Sequence, residues 1–252
     1  ACFQIGVSLC TFGSDEPYEK TCLCYKETSG EDVTSFRTER ELLLAFKNYV
    51  QRHDVDIMTG WNIFGFDLAY LHKRAARNNC GWEFSQLGKL KNTQSNLVQK
   101  KLSSSALGDN FLQLLPMSGR FIFDLFHEVK KGYKLDSYSL NNVSKLYLGD
   151  QKIDMPAKEM FARFVEGNAA KLGEVAEYCI KDTLLPHKLM KKLCTLLNLL
   201  EMAKATWVPL TFLVERGQQI KVFSQLCKKA RELGYMVPTI KHGFLHSWEN
   251  TL

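Results

Sequence analysis

Two carboxylates and a phenol stand out for where they fall in the chain. Asp67 ends the apolar run of GWNIFGFDLAY, residues 60–70, where a strand pattern hands over to a helix pattern. Asp182 follows Tyr178 by four residues in GEVAEYCIKD. On a helix, an i, i+4 pair shares one face with about 5–6 Å between β-carbons, so the Tyr178 hydroxyl and the Asp182 carboxylate are neighbours. In open α/β sheets the strand-to-helix crossings at the carboxyl edge gather ligands, which makes Asp67 a candidate for acid chemistry. Each residue also has an ordinary reading. A carboxylate at a helix N-terminus serves as a cap, and a Tyr–Asp pair decorates many helix surfaces. Residue types alone leave both readings open.

The elements that must position these groups are legible from periodicity. FQIGVSL and TCLCYKE alternate with period two around the turn GSDEPYE, as a hairpin does. In TERELLLAFKNYVQRH, Thr38 and Glu41 form a capping box, and Leu42, Leu43, Phe46 and Val50 fall on one helical face. VDIMTGWN (55–62) reads as a strand, and DLAYLHKRAAR from Asp67 as a helix closed by NNCG. Residues 85–118 are polar and irregular and predict an insertion of loop and short ribbon rather than core. RFIFDLF (120–126) is a further strand. SLNNVSKLYL (139–148) is a short helix, with the Asp or a Ser of KLDSYSL as its cap. The 173–182 helix is expected to break or kink before Pro186, whose ring would meet the Asp182 carbonyl. From 187 to 233 the pattern is helical, interrupted by TWVPL and RGQQ. Asp124, at the end of RFIFD, reads as a strand-end turn acceptor. The fold class is α/β.

Composition sets bounds. A chain of 252 residues, 45% apolar and 24% charged, is that of an ordinary globular protein, with no apolar run that would span a bilayer. No membrane association is expected. The start, ACFQIGVSLC, reads as a strand rather than a leader peptide. Eight scattered cysteines without a CxxC pair predict free thiols. His242 and His246 are four residues apart but have no evident third ligand. The net charge of +6 is concentrated in residues 71–101, which carry seven Lys/Arg against the single Glu83. That stretch suits a phosphate backbone, and it also suits a solvated basic face.

Together, WNIFGFD and YCIKD resemble the second and third exonuclease motifs of family B DNA polymerases, with tryptophan where tyrosine is commoner in the second. The resemblance continues through KLDSYSLNNVSKLYLGDQK and EMAKATWVPLTFLVERGQQIKVFSQL, which are delta-type landmarks. The KKLSSSALGDNF insertion looks most like polymerases of large nucleocytoplasmic DNA viruses. The resemblance implies a ribonuclease H-like 3′–5′ exonuclease domain over residues 1–200, with the insertion at about 85–118. Residues 201–252 would begin the connection to the polymerase palm, with Arg216, Gly217 and Gln218 in a packing role. It implies hydrolysis of a 3′-terminal phosphodiester by two Mg²⁺ ions, for which Mn²⁺ can substitute. Asp67 and Asp182 would be metal ligands, Tyr178 would orient the attacking water, and Asn62 and Phe66 would help hold the terminal nucleotide or shape the pocket. A phenol with pKa near 10 is a poor general base at neutral pH, so orientation suits Tyr178 better than proton removal. Implied partners are the single-stranded 3′ end of a primer-template, the remainder of the polymerase chain, and a sliding clamp or other accessory subunits. The implied location is the nucleus or a viral replication site. The family's first motif, an Asp-x-Glu pair expected before FQIGVSL, is absent, so this stretch alone is expected to be a weak or inactive nuclease missing one strand of its sheet. A catalytically decayed DNA-binding module and a free-standing tyrosine-type exonuclease are the alternatives.

Overall fold

A computed structural model describes residues 1–104, 108–149 and 155–238. Its contacts divide the chain into two compact units, Ala1–Asn198 and Leu199–Leu252. In the first unit, β1 (Gln4–Leu9) and β2 (Glu19–Tyr25) pair antiparallel, with Gly6 opposite Cys22, as the hairpin pattern requires. β2 also pairs in parallel with β3 (Val33–Phe36), a short strand that the sequence pattern did not reveal. The return between them turns through Lys26 and Gly30, both at positive φ.

Helix α1 (Glu39–Arg52) starts as expected. The Thr38 side chain accepts from Glu41 N at 3.1 Å, and the Glu41 carboxylate accepts from Thr38 N at 3.3 Å. Leu42, Leu43, Phe46 and Val50 are buried along one face, and the helix packs on β2 and β3. β4 (Ile57–Gly60) leads through a loop into α2 (Asp67–Arg77), which is followed by the short α3 (Gly81–Phe84). β4 pairs in parallel with β7 (Phe121–Asp124) in a second small sheet, with Gly60 opposite Asp124. The strand expected over 120–126 stops at Asp124, because that side chain caps a helix, α4 (Leu125–Gly132), starting at the next residue.

The insertion forms the expected ribbon, β5 (Val98–Ser104) with β6 (Gly108–Leu114). It also contributes core, contrary to its polar composition: Leu87, Leu112, Leu114, Leu115 and Met117 are buried. The buried Arg120 fastens this segment by donating to the Leu87 carbonyl at 2.8 Å and to the Val55 carbonyl.

α5 (Leu140–Leu148) is capped by Ser139, whose hydroxyl accepts from Asn142 N at 3.2 Å. α6 (Ala157–Glu166), unrecognised from sequence, precedes α7 (Ala169–Lys192). α7 packs on β1, β2 and β4. It starts four residues before Gly173, with Asn168 as cap, and runs without a break through Pro186. The lost hydrogen bond and ring clash cost a helix about 3 kcal/mol. Burial of Leu185, Pro186 and Leu189 offsets that loss. α7 sits close to the strands because glycines leave room. A Cβ on Gly6 would come within 2.8 Å of Cys179 Sγ, and one on Gly173 would overlap the Ser29 carbonyl oxygen.

α8 (Thr195–Thr206) crosses from the first unit into the second, where α9 (Leu210–Glu215) and α10 (Gln219–Glu232) follow. The interruptions at TWVPL and RGQQ fall where the sequence put them. Arg216 lies 3.7 Å over the Phe212 ring, a packing contact. All eight cysteines are free thiols, and His242 and His246 lie outside the described residues.

Candidate active site

The loop between β4 and α2, with the first residue of that helix, carries three of the candidate residues. Asn62 takes a left-handed conformation, φ 62°, and its carbonyl accepts from Gly65 N at 3.0 Å and Phe66 N at 3.1 Å. Its side chain folds over Gly65, where a Cβ would overlap the Asn62 amide oxygen. That turn throws Phe66 outward. Its ring is 57% exposed and stacks on Tyr70, one helical turn on, at 5.2 Å between centroids and 14° between planes.

Asp67 is the first residue inside α2, not its cap. Phe66 occupies the cap position and makes no side-chain cap bond, so the cap expected of Asp67 is corrected. The residue is exposed, yet the protein around its carboxyl partly desolvates it and raises its pKa, against a lowering hydrogen bond from its own N–H.

Tyr178 and Asp182 are both half-buried on α7. Each directly precedes a residue, Cys179 or Thr183, that lies against Gly6 of β1. Because α7 packs on β4 as well as β1, the helix bearing these two groups lies against the strand that feeds the Asn62–Asp67 loop. The donor chemistry of two carboxylates suits a hard, oxygen-seeking cation. The donor number does not: among the described residues, no three His, Cys, Asp or Glu side chains converge as a metal site.

Sequence reasoning set aside Asp124, which the structure puts at the centre of the loop's support. The side chain is 0% exposed, accepting from Asn62 N at 2.8 Å, Phe64 N at 2.9 Å and Phe126 N at 3.0 Å. Burial lifts its pKa to about 6, opposed by those three donors. His127 Nε2 stands 4.0 Å away, its own pKa pushed down to about 4 by burial and by Lys131 and Lys130. An Asp closing a strand immediately before a helix pattern was the signal available. Across the same loop, Gln113 N on β6 donates to the Phe64 carbonyl at 3.1 Å.

The basic stretch is less uniform than its sequence. Arg74 is spent on buried Glu39, donating from Nε at 2.6 Å and Nη2 at 2.5 Å, and Glu39 also accepts from Cys2 N at 2.7 Å. Lys89 pairs with Asp54 and Asp56. Lys73, Arg77 and Lys91 remain at exposed positions.

Comparison with known proteins bears on these features. Residues 1–143 match the model of the DNA polymerase family B exonuclease domain. Over 249 residues, 95% of this chain and 27% of the relative, it is 38% identical to a DNA polymerase of Paramecium bursaria Chlorella virus NY2A. Over 232 residues, 91% of this chain and 21% of each relative, it is 39% identical to the DNA polymerase delta catalytic subunit of Glycine max and 40% to that of Arabidopsis thaliana. The chain thus spans about a quarter of the length of these curated relatives. With that family model over more than half of its length and relatives of 38–40% identity over nearly all of it, this chain belongs to family B DNA polymerases, as part of their exonuclease domain.

Proposed function

We propose that this chain is the proofreading module of a DNA-directed DNA polymerase, with the ribonuclease H-like fold of its family, and that it removes the 3′-terminal nucleotide of a DNA strand. The observation that carries the reading is the packing of α7, the helix of Tyr178 and Asp182, on β4, the strand that leads into the Asn62–Asp67 segment. Asp67 and Asp182 would hold divalent cations, Mg²⁺ by family, through hard oxygen ligands. When bound, a pair of such ions activates water and stabilises the leaving 3′ oxygen. Tyr178 orients the attacking water through its hydroxyl. The exposed Phe66 ring, backed by Tyr70, stacks against the terminal base, and Asn62 shapes the turn that presents it. Stacking of this kind is worth about 1–3 kcal/mol per base and tolerates every sequence.

Two carboxylates are few for two metals, so on this reading the present chain by itself is a weak nuclease or an inactive one, and the parent polymerase supplies the remaining acids. Its partners are then a primer-template with a single-stranded 3′ end, the rest of the polymerase chain and clamp-type accessory subunits. Its place of work is the nucleus or a viral replication site. The test is excision of a mismatched 3′ nucleotide by the polymerase that contains this chain. Asp67→Ala and Asp182→Ala should each slow excision by about 10³-fold or more while extension of a matched primer continues, and Tyr178→Phe should cost less, about 10–100-fold. Wild-type excision by Asp182→Ala would defeat the reading.

A further inference from the structure

We propose that Asp124 is the positioning residue of the nuclease loop, a carboxylate that holds Asn62, Phe66 and Asp67 in register without touching substrate or metal. The inference rests on the reading above and deepens it. The loop cannot set its own shape. Its local bonds are Gly65 N and Phe66 N closing on the Asn62 carbonyl and Leu68 N on the Ile63 carbonyl at 3.2 Å, and the first two require Asn62 to stay in a left-handed conformation that non-glycine residues seldom adopt. Something outside must hold the backbone on either side of that residue.

Asp124 does so with both oxygens. Oδ1 accepts from Asn62 N at 2.8 Å and from Phe126 N at 3.0 Å, and Oδ2 accepts from Phe64 N at 2.9 Å. One carboxylate therefore ties together the end of β7, the first turn of α4 and the loop itself. Phe64 is pinned from the other side as well, through its carbonyl to Gln113 N at 3.1 Å. Only the carboxyl-terminal half of the loop, Gly65–Asp67, is left to face a ligand.

The choice of an acid is informative. A serine or an asparagine would cap α4. Capping does not need a carboxylate at 0% exposure, where ionisation is costly. Accepting from three converging N–H groups does need one. Asparagine offers a single acceptor oxygen and would turn an NH₂ group against one of those donors. With its oxygens engaged by backbone donors and no solvent exposure, Asp124 is not presented to a metal.

The experiment uses the complete polymerase, with Asp124→Asn and Asp124→Ser. The serine variant keeps a cap for Phe126 N but is too short to reach the loop, so it separates capping from positioning. Three properties are read below the melting temperature of each variant: single-turnover excision of a mismatched 3′ nucleotide, extension of a matched primer, and fluorescence of a 2-aminopurine at the primer 3′ end, which brightens when the base unstacks into the nuclease site. Both variants should excise at least about tenfold more slowly, since misplacement of about 1 Å can cost 10²-fold. They should also show a dimmer 2-aminopurine signal, while extension is unchanged. A purely structural role would lower the melting temperature and leave excision and fluorescence at wild-type levels in the folded protein; that result overturns the proposal. Asp182→Ala serves as the reference. If it too excises normally, the exonuclease reading has failed. If it is inactive while Asp124→Ser is normal, only the positioning inference has failed.

Discussion

Buried Asp124 and its half-buried neighbour His127 have titrations that pull stability in opposite directions. Burial raises the Asp124 pKa from 3.8 to about 6, so the folded chain binds that proton more tightly than the unfolded chain. Its contribution to stability is greatest at low pH and is lost as pH rises between those values, by up to about 3 kcal/mol. Burial, with Lys131 and Lys130 nearby, lowers the His127 pKa from 6.5 to about 4, so the folded chain resists that proton. Its contribution is gained as pH rises through nearly the same window, by a similar amount. In the wild-type protein the two slopes nearly cancel. Removing either partner uncovers the other. From about pH 4.5 to about pH 6.5, the urea midpoint of Asp124→Asn should climb relative to wild type, and that of His127→Gln should fall. Parallel profiles for all three proteins would refute the account. The pair also marks a limit of sequence reading. Asp67, Tyr178 and Asp182 could be nominated from the sequence because motif spacing needs no knowledge of the fold. Asp124 was read as a turn acceptor because its three donors come from two segments that only the fold brings together.

At the level of elements, α7 holds the site by close approach. Gly173→Ala gains about 0.5–1 kcal/mol of helix preference. The new Cβ would overlap the Ser29 carbonyl, in a return whose Ser29 N already donates to the Ala169 carbonyl at 3.0 Å, so neither side can give cheaply. Overpacking costs about 1–3 kcal/mol and should win. Gly132→Ala at the end of α4 meets nothing within 4 Å and should be neutral or slightly stabilising. The two urea midpoints must move apart, with Gly173→Ala below wild type; a Gly173→Ala protein as stable as wild type would show that α7 is free to shift. The same elements explain what periodicity conveyed. The α1 capping box and apolar stripe are local signals, and local signals carried over. β3 is four residues long, too short for alternation to register, and α6 buries no residue, its Phe161 and Phe164 lying against Phe3 outside the core. The Pro186 rule was sound as a cost, but a helix buried on Leu185 and Leu189 tolerates that cost.

For the molecule as a whole, charge decides how a single strand is approached. Residues 71–101 hold the whole net excess of +6, yet the fold withdraws part of it: Arg74 neutralises buried Glu39, and Lys89 is engaged by Asp54 and Asp56. Charges paired inside the protein release no counterions when DNA binds. Lys73, Arg77 and Lys91, at exposed positions, offer charge that a phosphate backbone can meet. Each phosphate neutralised on a single strand contributes about 0.7 to the slope of log affinity against log salt. Replacing Lys73, Arg77 and Lys91 together by glutamine in the parent polymerase should therefore flatten the slope for an oligonucleotide with a single-stranded 3′ end by about 2. Lys89→Gln should leave it unchanged, because its partners already occupy that charge. Fluorescence anisotropy across a salt series reads both. An unchanged slope in the triple variant would mean that this basic face is only solvated, and that the strand reaches Phe66 by another path.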